Sequence, residues 1–265
     1  MRRMNPNPFS PDRMNVRMSR RTALHMGATV AASALWAPQV LAAAAPRQVV
    51  VWSERTAPKD VYPNDINGAI ADSLKTLQGW DVVPANIDQP EQGVSEELLK
   101  KTAVLIWWGH KRHDEVKDAL VDRIVQRVKE EGMGFISVHS SHFAKPYKKL
   151  MGTPCSWREY KVDGSSVKIV VKDPQHPIAK GVSDFELPAV ERYGEPFRVP
   201  EPEAVVLDGI YSRPDGTKEP SRQGLVWRIG KGKVFYFQVG HETFPDLFRK
   251  EVQQIFRNAV EWAAA

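Results

Sequence analysis

Residues 102–108, TAVLIWW, limit the fold more than any other stretch of the 265-residue chain. They are almost wholly apolar and run straight into a glycine. A strand without a polar face must be covered on both sides, which points to a parallel sheet between two helical layers. Three further runs repeat the pattern: 48–52 (QVVVW), 134–139 (GFISVH) and 233–239 (KVFYFQV). Between them lie stretches of helical period. Ile66, Ile70, Leu74 and Leu77 share one face of 64–77, and Val116, Leu120, Ile124 and Val128 share one face of 113–129. A strand is expected at 81–87, a short helix from Ser95 and another helical stretch at 144–150. Further strands are expected at 167–171, 204–207 and 223–227, and a closing amphipathic helix at 245–263. Strand, helix, strand, helix at this spacing predicts a flavodoxin-like three-layer α/β/α sandwich with a mostly parallel sheet.

The first 45 residues stand apart. Ser19-Arg20-Arg21-Thr22 precedes a small, apolar run over 23–41, which ends in alanine-rich cleavage motifs around Ala42 to Ala44. This is the form of a signal peptide, and the paired arginines point to the twin-arginine route. The expected boundaries are therefore a leader at 1–45 and one α/β domain at 46–265. The protein is expected in the periplasm or outside the cell, without a retained membrane anchor. The leader also carries the charge excess. It holds six of the 37 lysines and arginines and one of the 32 acids, leaving 31 of each in the domain. A balanced domain gives no footprint for nucleic acid. Cys155, the single cysteine, excludes an intrachain disulfide. No motif indicates a nucleotide cofactor.

Three of the apolar runs end alike, in WWGH (107–110), VHSSH (138–142) and VGHE (239–242). In an open α/β sheet ligands bind beyond the carboxyl ends of the strands, so His110, His139, His142, His241 and Glu242 are expected to converge there. Neutral imidazoles with a carboxylate suit zinc or another divalent ion, and the expected ligands are His110, His142 and His241. Without a metal the same groups suit proton transfer, with His139, His142 and Glu242 as catalytic candidates. Ser140, in a tight turn beside histidines, is a candidate nucleophile.

These motifs carry a resemblance. LIWWGHKRHDEV (105–116), HSSHFAKPYKKLMGT (139–153), WREY (157–160), HPIAKGV (176–182), ERYGEPF (191–197) and KVFYFQVGHETFPD (233–246) resemble the ThuA-like, trehalose-utilisation family. That family shares the class I glutamine amidotransferase-like fold. The resemblance implies a link to disaccharides, in particular to oxidised (3-keto) sugars. One departure is SRQGL (221–225), where relatives commonly have a small residue, glycine and often cysteine. An amidotransferase of this fold carries its nucleophilic cysteine in the turn after the fourth strand. His139 stands at that place here, so ammonia transfer from glutamine is excluded.

Aromatic and charged residues near these motifs form a candidate sugar surface: Trp52, Trp108, Trp157, Arg158, Glu159, Glu191, Tyr193 and Glu195. The expectation is an exported protein acting on a small carbohydrate as an isomerase, lyase or hydrolase. A serine hydrolase using Ser140 and a non-catalytic sugar-binding module are the alternatives. The sequence leaves the oligomeric state open.

Overall fold

The computed structural model describes residues 46–265, so the expected leader lies outside the described residues. Nine strands form one sheet in the order β2-β1-β3-β4-β11-β10-β9-β6-β7. Its first half is parallel: β1 (Arg47–Ser53), β2 (Trp80–Asn86), β3 (Thr102–Trp108), β4 (Gly134–Val138) and β11 (Gly232–Phe237). The second half is antiparallel: β10 (Lys218–Ile229), β9 (Ala204–Ser212), β6 (Ser166–Val171) and β7 (Phe185–Leu187). β5 (Glu159–Lys161) and β8 (Arg192–Gly194) pair separately as a short ribbon.

Alternation along the parallel strands builds both cores. Val104, Ile106 and Trp108 of β3 face one layer, with α1 (Asp65–Leu74) and α5 (Lys250–Ala263). Leu105 and Trp107 face the other, with α2 (Glu96–Lys101), α3 (Asp118–Glu131) and α4 (Lys145–Met151). The expected three-layer α/β/α architecture is the one observed. Close approach fixes the position of β4, because a Cβ on Gly134 would sit 2.7 Å from the carbonyl oxygen of Ala263 at the end of α5. Among the described residues no helix is long and apolar enough to cross a membrane.

Several boundaries differ from expectation. His113–Glu115 is an isolated 3-10 turn, and α3 starts at Asp118. Likewise Asp246–Phe248 is a separate turn before α5, which starts at Lys250. β9 and β10 run well beyond 204–207 and 223–227. Their extra residues include Asp208, Gly209 and Lys218 to Arg222, which carry no apolar run because much of that stretch of sheet is open to solvent.

Candidate active site

β3, β4 and β11 are neighbours in the sheet, and each ends in a loop that carries a histidine. His110, His139 and His241 meet there. Their ring centroids lie 6.3 Å (110–139), 5.4 Å (110–241) and 5.3 Å (139–241) apart. Two carboxylates complete the cluster. Glu191 Oε2 is 3.0 Å from His139 Nε2 and 3.7 Å from His241 Nε2. Glu242 Oε1 is 3.4 Å from His110 Nε2, and its Oε2 is 3.7 Å from His241 Nδ1.

His139 is held in the left-handed region, at φ +53°. A non-glycine residue there costs on the order of 1–3 kcal/mol, a strain that clusters at functional turns. Its protonation is readable from its partners. Gln238 O, 2.7 Å from Nδ1, can only accept, so Nδ1 carries the hydrogen. Nε2 is left to face Glu191 and the Tyr193 hydroxyl, 3.0 Å away. Ser140 Oγ lies 2.5 Å from His110 Nδ1.

A buried carboxylate that the sequence reading passed over positions His110. Glu54 Oε2 accepts the backbone N–H groups of His110, Lys111 and Arg112 at 2.8, 2.7 and 2.8 Å. Lys111 then places Nζ 2.8 Å from Glu242 Oε1. An acid directly after an apolar strand, as in VVVWSE, was the available signal for Glu54. A small, partly open pocket of about 10 Å³ is lined by His139, Glu191 and His241 together with Tyr211, Gln238 and Asp246. That is space for a single water. Burial raises the Asp246 carboxyl to about 6.

The charge state of the cluster follows from its packing. Burial pushes His110 and His241 below the usual histidine range. Burial also works to raise both carboxylates, but it is outweighed. The hydrogen bond and charge of His139, with the charge of His241, take Glu191 down to about 2. The Lys111 hydrogen bond, with the charges of His110 and His241, lowers Glu242. Ionised carboxylates beside His110 and His241, whose burial disfavours protonation, suit a divalent cation.

The donor set passes a simple geometric test. Donors about 2.0–2.1 Å from a tetrahedral ion lie about 3.3 Å from one another. The His139–Glu191 and His110–Glu242 separations, 3.0 and 3.4 Å, bracket that value. Ligand atoms of His110, His241 and Glu242, and of His110, His139 and Glu191, lie within 4.8 Å of one another. Glu242 Oε2 is buried without a hydrogen-bond partner.

Several expected site residues sit elsewhere. His142 is fully buried on the other side of Tyr193, its Nδ1 2.6 Å from Cys155 O and its ring parallel to that of Tyr160. It is no part of the candidate metal set. Its edge-on contact with Tyr193 makes it a support for the residue that touches His139. Trp52 stacks on Trp107 in the core, and its indole N–H is taken by Gln92 O. Trp108 is equally buried and donates to Gly240 O. Trp157 stacks on Phe197, 4.1 Å between ring centroids. None of these three tryptophans offers a face to a sugar. Glu159 and Arg158 belong to an ion-pair network with Glu219 around the buried Arg192, and Glu195 is paired with Arg222. Cys155 is buried, its thiol pushed up to about 11, so it is no nucleophile. The residues brought together are His110, His139, Ser140, Glu191, Tyr193, His241 and Glu242.

The family model described as "ThuA: Trehalose utilisation" matches residues 48–263. The chain belongs to the ThuA family. Its fold is shared with a ThuA-like protein from Parabacteroides merdae, at a TM-score of 0.58 and 13% identity, over 83% of this chain and 90% of that one. A ThuA-like protein from Bacteroides uniformis gives a TM-score of 0.57 and 20% identity, over 84% and 93%. No curated protein matches this chain. In this ThuA-family member the parallel half of the sheet places His139 in the turn after the fourth strand.

His142 supplies a test of the packing around the site. Burial holds it neutral and takes its pKa to about 3, below the roughly 6.5 of an unfolded histidine. Its contribution is therefore complete above about pH 6.5 and is lost as pH falls toward 3, at about 1.4 kcal/mol per unit. The stability gap between wild type and His142→Phe is expected to narrow at that rate between pH 6 and 4, measured by urea unfolding. A gap independent of pH would contradict this placement.

Proposed function

We propose that this protein transfers a proton beside the carbonyl of an oxidised sugar derived from a disaccharide. The observation that carries the reading is the His139–Glu191 pair within the three-histidine cluster. Glu191, the less buried of the two, meets the C–H beside the ketone. It passes the proton 3.0 Å to His139 Nε2, and the Gln238 carbonyl holds the resulting imidazolium through Nδ1–H. Tyr193, with its hydroxyl beside Nε2, orients the ring. His110, His241 and Glu242 are the residues that would hold a divalent ion, zinc being the best match to this donor set. Such an ion would supply a Lewis acid for the sugar oxygen. The family's description, trehalose utilisation, supports a disaccharide-derived substrate.

Solvent-deuterium exchange into 3-keto-trehalose tests the reading. Wild-type protein is expected to exchange the hydrogen beside the ketone, and Glu191→Gln and His139→Ala to lose about 10²–10⁴-fold in rate. Undiminished exchange in both variants would sink it.

A second reading has its own observation. Ser140 Oγ, the two His110 nitrogens and Glu242 form a serine–imidazole–carboxylate chain at 2.5 and 3.4 Å. A serine hydrolase would label at Ser140 with a fluorophosphonate, whereas the proton-transfer site would stay unlabelled.

The leader read at 1–45 supports work outside the cytoplasm. Cell fractionation of an Arg20→Lys, Arg21→Lys double variant is expected to find the unprocessed chain in the cytoplasm. Export at the wild-type level would refute the twin-arginine route.

A further inference from the structure

The small, partly open pocket at the histidine cluster is lined by His139 and Glu191 and by two groups that the proposed function leaves without a task. These are the Gln238 side chain and Asp246, 3% and 6% exposed. At about 10 Å³ the pocket has room for one water-sized group and for nothing larger.

Neighbours fix the orientation of the Gln238 amide. Tyr211 Oη accepts from the Tyr193 backbone N–H at 3.1 Å and from Gln223 Nε2 at 3.4 Å, so its own hydrogen goes to Gln238 Oε1, 3.0 Å away. Ser221 Oγ likewise accepts from Gln223 Nε2 at 3.1 Å and donates to Gln238 Oε1 at 3.2 Å. Oε1 thus accepts two hydroxyls, while Nε2 is buried with no partner among the described residues. Gln223 is itself seated over Gly209, where a Cβ would lie 2.7 Å from Gln223 Cγ. Asp246 is the second unused group. Its carboxyl receives no hydrogen bond among the described residues, and the charges that act on it are those of His139 and Arg249. Held near 6 by burial, it can take and release a proton close to neutrality.

We propose that the pocket holds one water, fixed by Gln238 Nε2–H, and that this water relays the abstracted proton from Glu191 to Asp246 and on to solvent. A ketone oxygen, which only accepts, would face two carboxylates there, and a metal ion would face the amide N–H. Water satisfies both, accepting from the amide and donating to the carboxylates. Glu191, once it has taken the substrate proton, gives it to the water oxygen as the water gives one of its own hydrogens to Asp246. Asp246 releases that proton to solvent, and Glu191 and the water are restored. Only O–H bonds are made and broken in the relay, and no electrons change hands. Asp246 and Gln238 act through the water and do not touch the sugar, so both are positioning residues. The relay rests on the proton-transfer reading, which it deepens by naming the path along which solvent hydrogen enters the site.

The test compares wild-type protein with Asp246→Asn, which keeps the side chain's shape and removes its proton acceptor. Loss of label to H2O is followed for 3-keto-trehalose carrying deuterium or tritium beside the ketone. In the variant the loss is expected to slow about 10²-fold. The isotope effect between the two labels is expected to fall toward one, because the label returns to its carbon before it can leave. A merely structural role would slow abstraction itself and keep the wild-type isotope effect. An unchanged rate, or a slower one with that isotope effect retained, would overturn the relay and leave the proton-transfer reading standing. No loss of label with wild-type protein would overturn the reading and the relay together. A crystal structure of the wild-type protein tests the pocket without turnover. A water about 3 Å from Gln238 Nε2 and from both carboxylates is expected, and a dry pocket or a metal ion in it would overturn the proposal.

Discussion

The candidate site depends on one buried carboxylate. Glu54 has no exposed surface, and its Oε2 gathers three successive backbone N–H groups from the loop after β3. Taking a carboxylate out of water costs several kcal/mol, and three charge-assisted hydrogen bonds of about 1.5–3 kcal/mol each offset it. The geometry of that loop is its product. His110 is turned toward His139 and His241, and Lys111 is brought over Glu242. With Glu54 gone, three N–H groups would lose their acceptor and the third histidine its position.

The cluster that results is electrostatically unfinished. Two ionised carboxylates stand among imidazoles whose burial disfavours a positive charge, and Lys111 is the nearest fixed cation. Lys111 is also mostly exposed along its chain, so it is the member able to withdraw when another cation or a polarised substrate takes its place. The short, fixed contacts are those of His139, pinned by a backbone carbonyl on one nitrogen and facing Glu191 and Tyr193 with the other. Fixed imidazole–carboxylate contacts beside a replaceable cation are the arrangement that the proposed chemistry at a carbonyl calls for.

How much of this was legible in the sequence depends on what encodes each feature. Apolar runs ending in Gly-His or Val-His marked β3, β4 and β11 because strands buried on both faces have no polar positions. His142 was misplaced for a local reason. The left-handed backbone at His139 breaks the regular turn, so residues three apart do not share a side; one faces the cluster and the other the core. Trp52 and Trp108 were misread because alternation sends them above and below the sheet and not off its edge. Glu159 and Glu195 resemble site acids in sequence, but their partners Arg192 and Arg222 are distant along the chain and become neighbours through β8 and β10. Glu54 could not be distinguished from a loop acid until the backbone that it gathers was in place.

Elemental analysis of the mature protein, purified without chelator or affinity nickel, tests the central claim that the strand-end histidines form a divalent-cation site. The account predicts about one equivalent of zinc or another first-row divalent ion per chain, lost in His110→Ala and His241→Ala and retained in His142→Phe. Protein that carries no such ion and fails to take one up on dialysis against zinc would contradict it.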